Sequence, residues 1–207
     1  MTNPTSDPLT LAPTFRLHLV RAVVALVWAG LLVAALSAGG ALTPQESLPA
    51  LAVALLILYP LIDVVASLLD ARTHRRTGTG RNATTQVANA AVSTVAAVAV
   101  AVTASHGADA VLRVFGVWAV LTGLVQLVLG LLRRRGGTPG QWPMILSGGI
   151  STLAGLGFTR MAARSELDLV PLAGYAAFGA VFFLLAAWRL RSSRGSEKSG
   201  LSLDAKL

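Results

Sequence analysis

Six apolar runs, each about as long as a bilayer crossing requires, constrain this chain more than any other feature. They fall at about His18–Ala38, Leu48–Leu69, Thr85–Ala104, Val111–Leu132, Trp142–Ala163 and Leu169–Trp188. Each is continuous in Leu, Val, Ala and Gly, so none has the polar face of a helix on a water-soluble domain. A membrane β-barrel would need short strands of alternating polarity, a pattern these runs lack. Hydrophobic residues make up 54% of the 207 positions and charged residues 13%, whereas a soluble domain spends about 25% on charge. The mean hydropathy is +0.68. Too little charge is left to keep such a chain in water. The expected fold is an all-α membrane protein, a six-transmembrane-helix bundle whose main partner is the lipid bilayer.

The basic residues orient the bundle. A net charge of +8 could point to nucleic acid, but that needs a basic surface laid along phosphates. Here the 17 Lys and Arg stand in short clusters between apolar runs, the pattern of loops held on the cytoplasmic side. Nucleic acid is therefore not an expected partner. One set holds Arg16, Arg21, Arg72, Arg75, Arg76, Arg81, Arg133, Arg134 and Arg135, and the C-terminal tail adds Arg189, Arg191, Arg194, Lys198 and Lys206. The other set holds only Arg113, Arg160 and Arg164. That asymmetry puts both termini in the cytoplasm. Trp142 and Trp188 then fall at the inner interface, where an indole has one wet edge and one apolar face.

Local punctuation sets the expected boundaries. Residues 1–15 and 192–207 read as disordered cytoplasmic tails around a transmembrane domain at 16–191. Thr43-Pro44-Gln45-Glu46 has the form of a capping box opening the second span, and Pro171 opens the sixth. Pro60, inside the second span, removes a backbone donor and predicts a kink. A cleaved signal peptide is the rival reading of the first span; its apolar run is long for that role.

The chain also resembles itself at a spacing of 58 residues. Val92-Ser93-Thr94-Val95-Ala96 aligns with Ile150-Ser151-Thr152-Leu153-Ala154, Gly116 with Gly174, and Arg133 with Arg191. The bundle is thus expected to be three helical hairpins, at about 16–70, 85–135 and 142–191, repeated in parallel. Small residues recur on single helix faces: Gly30, Ala34 and Ala38; Asn89, Ser93, Ala97 and Ala101; Gly116, Gly123 and Gly130; Ser147, Ser151 and Gly155. Helices in lipid associate by close backbone approach along such faces, so intramolecular packing is their first expected use. A homo-oligomer or another membrane protein would dock on the same faces.

The six-span layout, the hairpin repeat, the segment Gln141-Trp142-Pro143-Met144-Ile145-Leu146-Ser147-Gly148-Gly149-Ile150, and Phe115-Gly116-Val117-Trp118 through Gly123 resemble the HdeD-like acid-resistance membrane protein family. The resemblance covers about Val24 to Arg191. It implies a bacterial inner-membrane protein linked to acid tolerance, without catalytic residues to carry over.

Catalytic patterns are absent from the sequence. There is no Cys and there are three scattered His, so neither a thiol nucleophile nor a convincing zinc site is expected. Gly78-Thr79-Gly80 lacks the rest of a phosphate loop. No enzyme, cofactor or metal is expected. Instead, Asp63 is the most informative residue, because a carboxylate inside a span costs about 2.5–3.5 kcal/mol on insertion scales and needs a partner. Tyr59, Asp63, Ser67 and Asp70 share one stripe, and Arg21, Asn89 and Gln126 fall at comparable depth. Asp63, Arg21, Tyr59, Asn89 and Gln126 therefore form a candidate polar cluster for a proton, ion or small solute. The plainer alternative, common in small bundles, is an Asp63–Arg21 pair that fixes packing. His106, on the outer side, is the one histidine placed to meet an acidified exterior. The orientation is directly testable: a fluorescent protein fused after Leu207 should light up, and a phosphatase fused there should stay inactive.

Overall fold

The computed structural model describes residues 8–37, 42–76, 80–137 and 141–204, with side chains at 15–37, 42–73, 75–76, 83–137 and 141–188. Six helices follow one another: α1 (Pro8–Leu36), α2 (Ala50–Arg76), α3 (Gly80–Thr103), α4 (Ala108–Arg135), α5 (Trp142–Met161) and α6 (Val170–Asp204). Among the described residues there is no strand beyond an isolated Leu42–Leu167 bridge. Five helices are long and apolar enough to cross a membrane, over Phe15–Leu36, Ala50–Thr73, Ala83–Thr103, Ala108–Arg135 and Val170–Trp188. α5 is not among them, because Gly, Ser and Thr dilute its apolar content.

Each helix packs against the next in the chain, and α6 returns to α1, so the six close a ring. The closest pairs are α4 with α5, α2 with α3 and α1 with α6; contacts within the expected hairpins α1–α2, α3–α4 and α5–α6 are much sparser. The helices of each expected hairpin, at 16–70, 85–135 and 142–191, do touch, but the densest packing lies between hairpins and not within them. The tight pairs meet at the Arg-rich end, and the hairpin partners form the looser seams. The glycines show why for α4 and α5. A Cβ on Gly123 would lie 2.6 Å from the Thr152 nitrogen and 2.8 Å from the Gly148 oxygen, and one on Gly148 would lie 2.5 Å from the Leu127 nitrogen. Gly155 meets the Gly116 oxygen at 2.5 Å in the same sense. Two backbones in this contact gain dispersion and Cα–H···O attraction, which is what holds helices together when lipid is as apolar as their side chains.

Not every small-residue face packs this way. Gly30 and Ala34 of α1 are exposed, and nothing lies within 4 Å of a Cβ at Gly30; Ala38 is outside the described residues. On α3, Asn89, Ser93 and Ala97 face inward while Ala101 is exposed. The outer surface is apolar, carried by residues such as Val95, Val98, Leu153 and Leu156. An apolar outer surface of this kind suits lipid, which is as apolar as the side chains it meets.

The two ends of the ring differ. At the end opposite the arginine clusters, the three connections are tied by backbone bonds. Leu42 and Leu167 exchange N–H···O bonds of 3.2 and 2.8 Å, while the first N–H groups of α4, Ala108 and Asp109, donate to Glu46 and Pro44 carbonyls at 3.1 Å. Gly107, with φ 121, passes so close to this loop that a Cβ would sit 2.5 Å from the Pro44 oxygen, so only glycine fits. Thr43–Glu46 is correspondingly a turn and not the start of α2. The Glu46 carboxylate accepts from the Thr43 N–H at 3.0 Å and the Thr43 hydroxyl at 3.4 Å, but α2 begins at Ala50, after Pro49. Those residues spend their hydrogen bonds on the clasp.

At the basic end, Arg134 lies 3.9 Å from the centroid of the exposed Trp142 ring, and Trp188 is also exposed. Pro60 lies inside α2, buried. Helix begins at Pro8 and runs through Asp204, into both segments read as disordered tails. Extension adds one hydrogen bond per residue once a helix is nucleated, and α1 and α6 are nucleated by their packing on each other. Residues 1–7 and 205–207 lie outside the described part. Gly123→Ala and Gly148→Ala should each lower stability in detergent by about 1–3 kcal/mol through overpacking. Gly174→Ala, where a Cβ meets nothing within 4 Å, should be neutral; thermal or SDS unfolding measures the difference.

Candidate functional site: a polar cavity in one half of the ring

The ring axis is filled in two ways. Its outer half, toward the clasp, is packed with Trp28, Phe115 and Phe158 beside Leu32, Leu56 and Leu112, all buried. Rings touch in sequence: Trp28–Tyr59 at 4.3 Å between centroids, Tyr59–Trp118 at 5.8 Å, Phe115–Trp118 at 5.1 Å and Phe158–Tyr175 at 5.8 Å. The Trp28 indole N–H donates to the Leu55 carbonyl at 2.6 Å, anchoring α1 on α2. Tyr59, Trp118 and Tyr175 form the floor of what lies on the other side.

There, toward the basic end, a cavity of about 590 Å³ opens between all six helices. The ion pairs stand on its α1–α2–α3 wall. Arg21 donates to Asp63 Oδ1 at 3.0 Å and to Asp70 Oδ2 at 3.3 Å. Asp63 Oδ2 accepts from Asn89 Nδ2 at 2.7 Å and the Ser93 hydroxyl at 2.8 Å, and Asn89 also donates to Ser67 Oγ at 2.9 Å. Ser93 Oγ in turn accepts the Trp118 indole N–H at 3.0 Å. The Arg21 guanidinium lies 4.5 Å from the Phe183 ring centroid, a cation–π contact. One carboxylate thus joins α1, α2 and α3, and through Ser93 reaches α4. The side chains of Arg21 and Asp63 keep 17% and 19% of their surface exposed. That remainder faces the cavity, so the pair is not sealed.

The structure brings together Asp63, Arg21 and Asn89 of the five residues singled out. Tyr59 is one turn from Asp63 on the same stripe, with its ring in the aromatic floor. Gln126 stands on another wall, where its Oε1 accepts the Ser147 hydroxyl at 3.3 Å, apart from the ion pairs. Ser93 and Ser67 were legible as inward positions but not as donors or acceptors. The Trp118–Ser93 bond and the Phe183–Arg21 contact had no sequence signal, since both depend on how the ring closes. His18 also lines the cavity, edge-on to Phe183 at 6.2 Å between centroids, and its buried Nδ1 has no hydrogen-bond partner. Outside the cavity, Arg113 pairs with Asp109 at 2.9 Å, and His106 Nδ1 lies 3.1 Å from the Val102 carbonyl oxygen.

The internal repeat has a structural counterpart here. Ser93 on α3 meets an aromatic of α4, and Ser151, its equivalent 58 positions on, meets one of α6: Tyr175 OH lies 2.7 Å from Ser151 Oγ, which also donates to the Ala119 carbonyl at 3.0 Å. The equivalence stops at the glycines, because Gly116 is packed on α5 while Gly174 is open.

Residues 88–159, which run from α3 through α4 into α5, match the model of a short repeat of unknown function (DUF308). Comparisons with curated proteins and with solved structures give no match. The matched stretch holds Asn89, Ser93, Trp118 and Ser151 and the whole α4–α5 glycine contact, but neither Arg21 nor Asp63. The chain is a multi-pass membrane protein. Asp63→Ala should cost about 2–3 kcal/mol, because it leaves Arg21 with Asp70 alone as counter-ion and takes the acceptor from the Asn89 and Ser93 donors. Gln126→Leu, which loses one long bond, should cost under about 1 kcal/mol; unfolding of the purified variants in one detergent compares them.

Proposed function

We propose that this chain is a non-catalytic, six-span protein of the bacterial cytoplasmic membrane that holds a proton or small solute in a vestibule on the cytoplasmic side. The observation that carries this reading is the cavity of about 590 Å³ in contact with the Arg21–Asp63 pair, on an axis packed with aromatic side chains in its other half. A channel needs a continuous wet path through the membrane. Here the path stops at Tyr59, Trp118 and Tyr175, which favours a carrier resting with its vestibule inward. The arginine imbalance supports cytoplasmic termini. α5 is taken as the sixth span because its 20 residues are long enough to cross, and its Gly148, Ser151 and Gly155 are buried within the ring.

A role in envelope or acid-stress tolerance is the second reading. It is favoured by the match over residues 88–159 to a repeat family that includes the HdeD-like proteins. Proteoliposomes loaded with a pH-sensitive dye and given a pH step test carriage of a proton. The wild-type chain should speed the dye response over protein-free liposomes, and Asp63→Asn should slow it several-fold with the helical signal and elution volume unchanged. A response equal to that of empty liposomes removes proton carriage. A fold lost in Asp63→Asn, with wild-type protein inactive, leaves Asp63 as a packing residue.

A further inference from the structure

The walls of the vestibule differ in a way that narrows what it would hold. On α1, α2 and α3 the charged groups are turned onto one another: Arg21 is bound by Asp63 and Asp70, and Asp63 receives two more donors. On α5 and α6 the lining is largely apolar, with Met144, Ile150, Phe178 and Phe182. The cavity is also long. Along α4 it is bordered from Trp118 to Arg133, about 22 Å at the rise of an α-helix. Its volume lies in the range of about 300–1,000 Å³ that encloses small organic ligands.

Two further features concern access and charge. α5 and α6 are the neighbours with the sparsest packing in the ring, and both line the cavity. Phe178, which lines the cavity on the α6 side, is half exposed. At the basic end the cavity is edged by Arg133, whose guanidinium donates to Met144 Sδ at 3.8 Å; the next residue, Arg134, stacks its guanidinium on the exposed Trp142. Arg134 and Arg135 are themselves exposed.

We propose that the vestibule binds a single-chain amphiphile with an anionic head, admitted sideways from the cytoplasmic leaflet through the α5–α6 seam. Its head lies at Arg133 and its chain runs up past Phe182 and Phe178 toward Trp118. This rests on the vestibule reading above and names the ligand class for it. The long, mostly apolar channel suits an acyl chain, the loose seam gives a route that avoids water, and the basic rim selects charge. The ion pairs at Asp63 shape the far wall and keep their own charges occupied.

The test uses the full chain in phosphatidylcholine nanodiscs with Trp142→Phe and Trp188→Phe, leaving Trp28 in the aromatic packing and Trp118 at the cavity floor. A brominated fatty acid should quench Trp118 saturably. A cationic trimethylammonium amphiphile with the same brominated chain should need at least tenfold more. Arg133→Gln should weaken quenching by the fatty acid about tenfold. Gly179→Leu, at a cavity-lining site where a Cβ meets nothing within 4 Å, should abolish it by filling the space. Equal quenching by both head groups, or quenching unaffected by Gly179→Leu, overturns the proposal. Acrylamide, a small water-soluble quencher, separates the two levels. If it reaches Trp118 and is stopped by Gly179→Leu while the fatty acid does nothing, the vestibule stands and the amphiphile falls. If neither quencher reaches Trp118, both fall.

Discussion

The Asp63 carboxylate sets the terms for the rest of the bundle. In an apolar surrounding an ionised side chain must find donors or cost several kcal/mol, and Asp63 finds three, from Arg21, Asn89 and Ser93. They sit on α1 and α3, so satisfying one oxygen pair fixes the helices on either side of α2. Ser93 then draws in the Trp118 indole from α4. Four of the six helices are positioned by a chain of hydrogen bonds that begins at one residue. The ring is held open on that side, because side chains engaged with one another along the wall do not reach across the axis.

The α4–α5 contact works by the opposite means. Arg133 and Arg134 bring charge to its basic end; its closeness comes from the absence of side chains at Gly116, Gly123, Gly148 and Gly155. The two devices divide the labour. Glycine contact brings α4 and α5 together beside the cavity, where Gly123, Gly130 and Gly148 meet the facing helix, and polar bonding joins α1, α2 and α3 on the wall that carries Asp63. The same cavity is thereby walled by two kinds of contact.

Much of this was legible before the fold was known. Five of the spans followed from apolar length, and the inward face of α3 from the spacing of Asn89, Ser93 and Ala97. Asp63 with Arg21 and Asn89 followed from the cost of an intramembrane charge and from depth. The pairing of helices was not legible. A repeat of two spans says which segments are alike, but not whether a helix packs more tightly on its hairpin partner or on its other neighbour. That depends on which glycines face which backbone, and Gly116 and Gly174 look the same in sequence while one is buried and the other open. Thr43–Glu46 was misplaced for a related reason: the residues that cap a helix also close a turn, and only the approach of Gly107 and Ala108 decides between them. Tyr59 shares the stripe of Asp63 but lies one turn nearer the clasp, with its ring among Trp28 and Trp118, and Gln126 faces Ser147 on the α4–α5 wall.

The clasp of Leu42, Pro44, Glu46 and Leu167 has a mechanical corollary. Its backbone bonds bridge the α1–α2 connection to each of the other two, so neither of those can swing outward without breaking a bridge to it. At the opposite end, among the described residues, ties run between helices: Arg21 of α1 to Asp63 and Asp70 of α2, and Arg134 of α4 onto Trp142 of α5. The α1–α2 loop is accordingly the keystone of the apex, the one piece whose loss would release both of its neighbours.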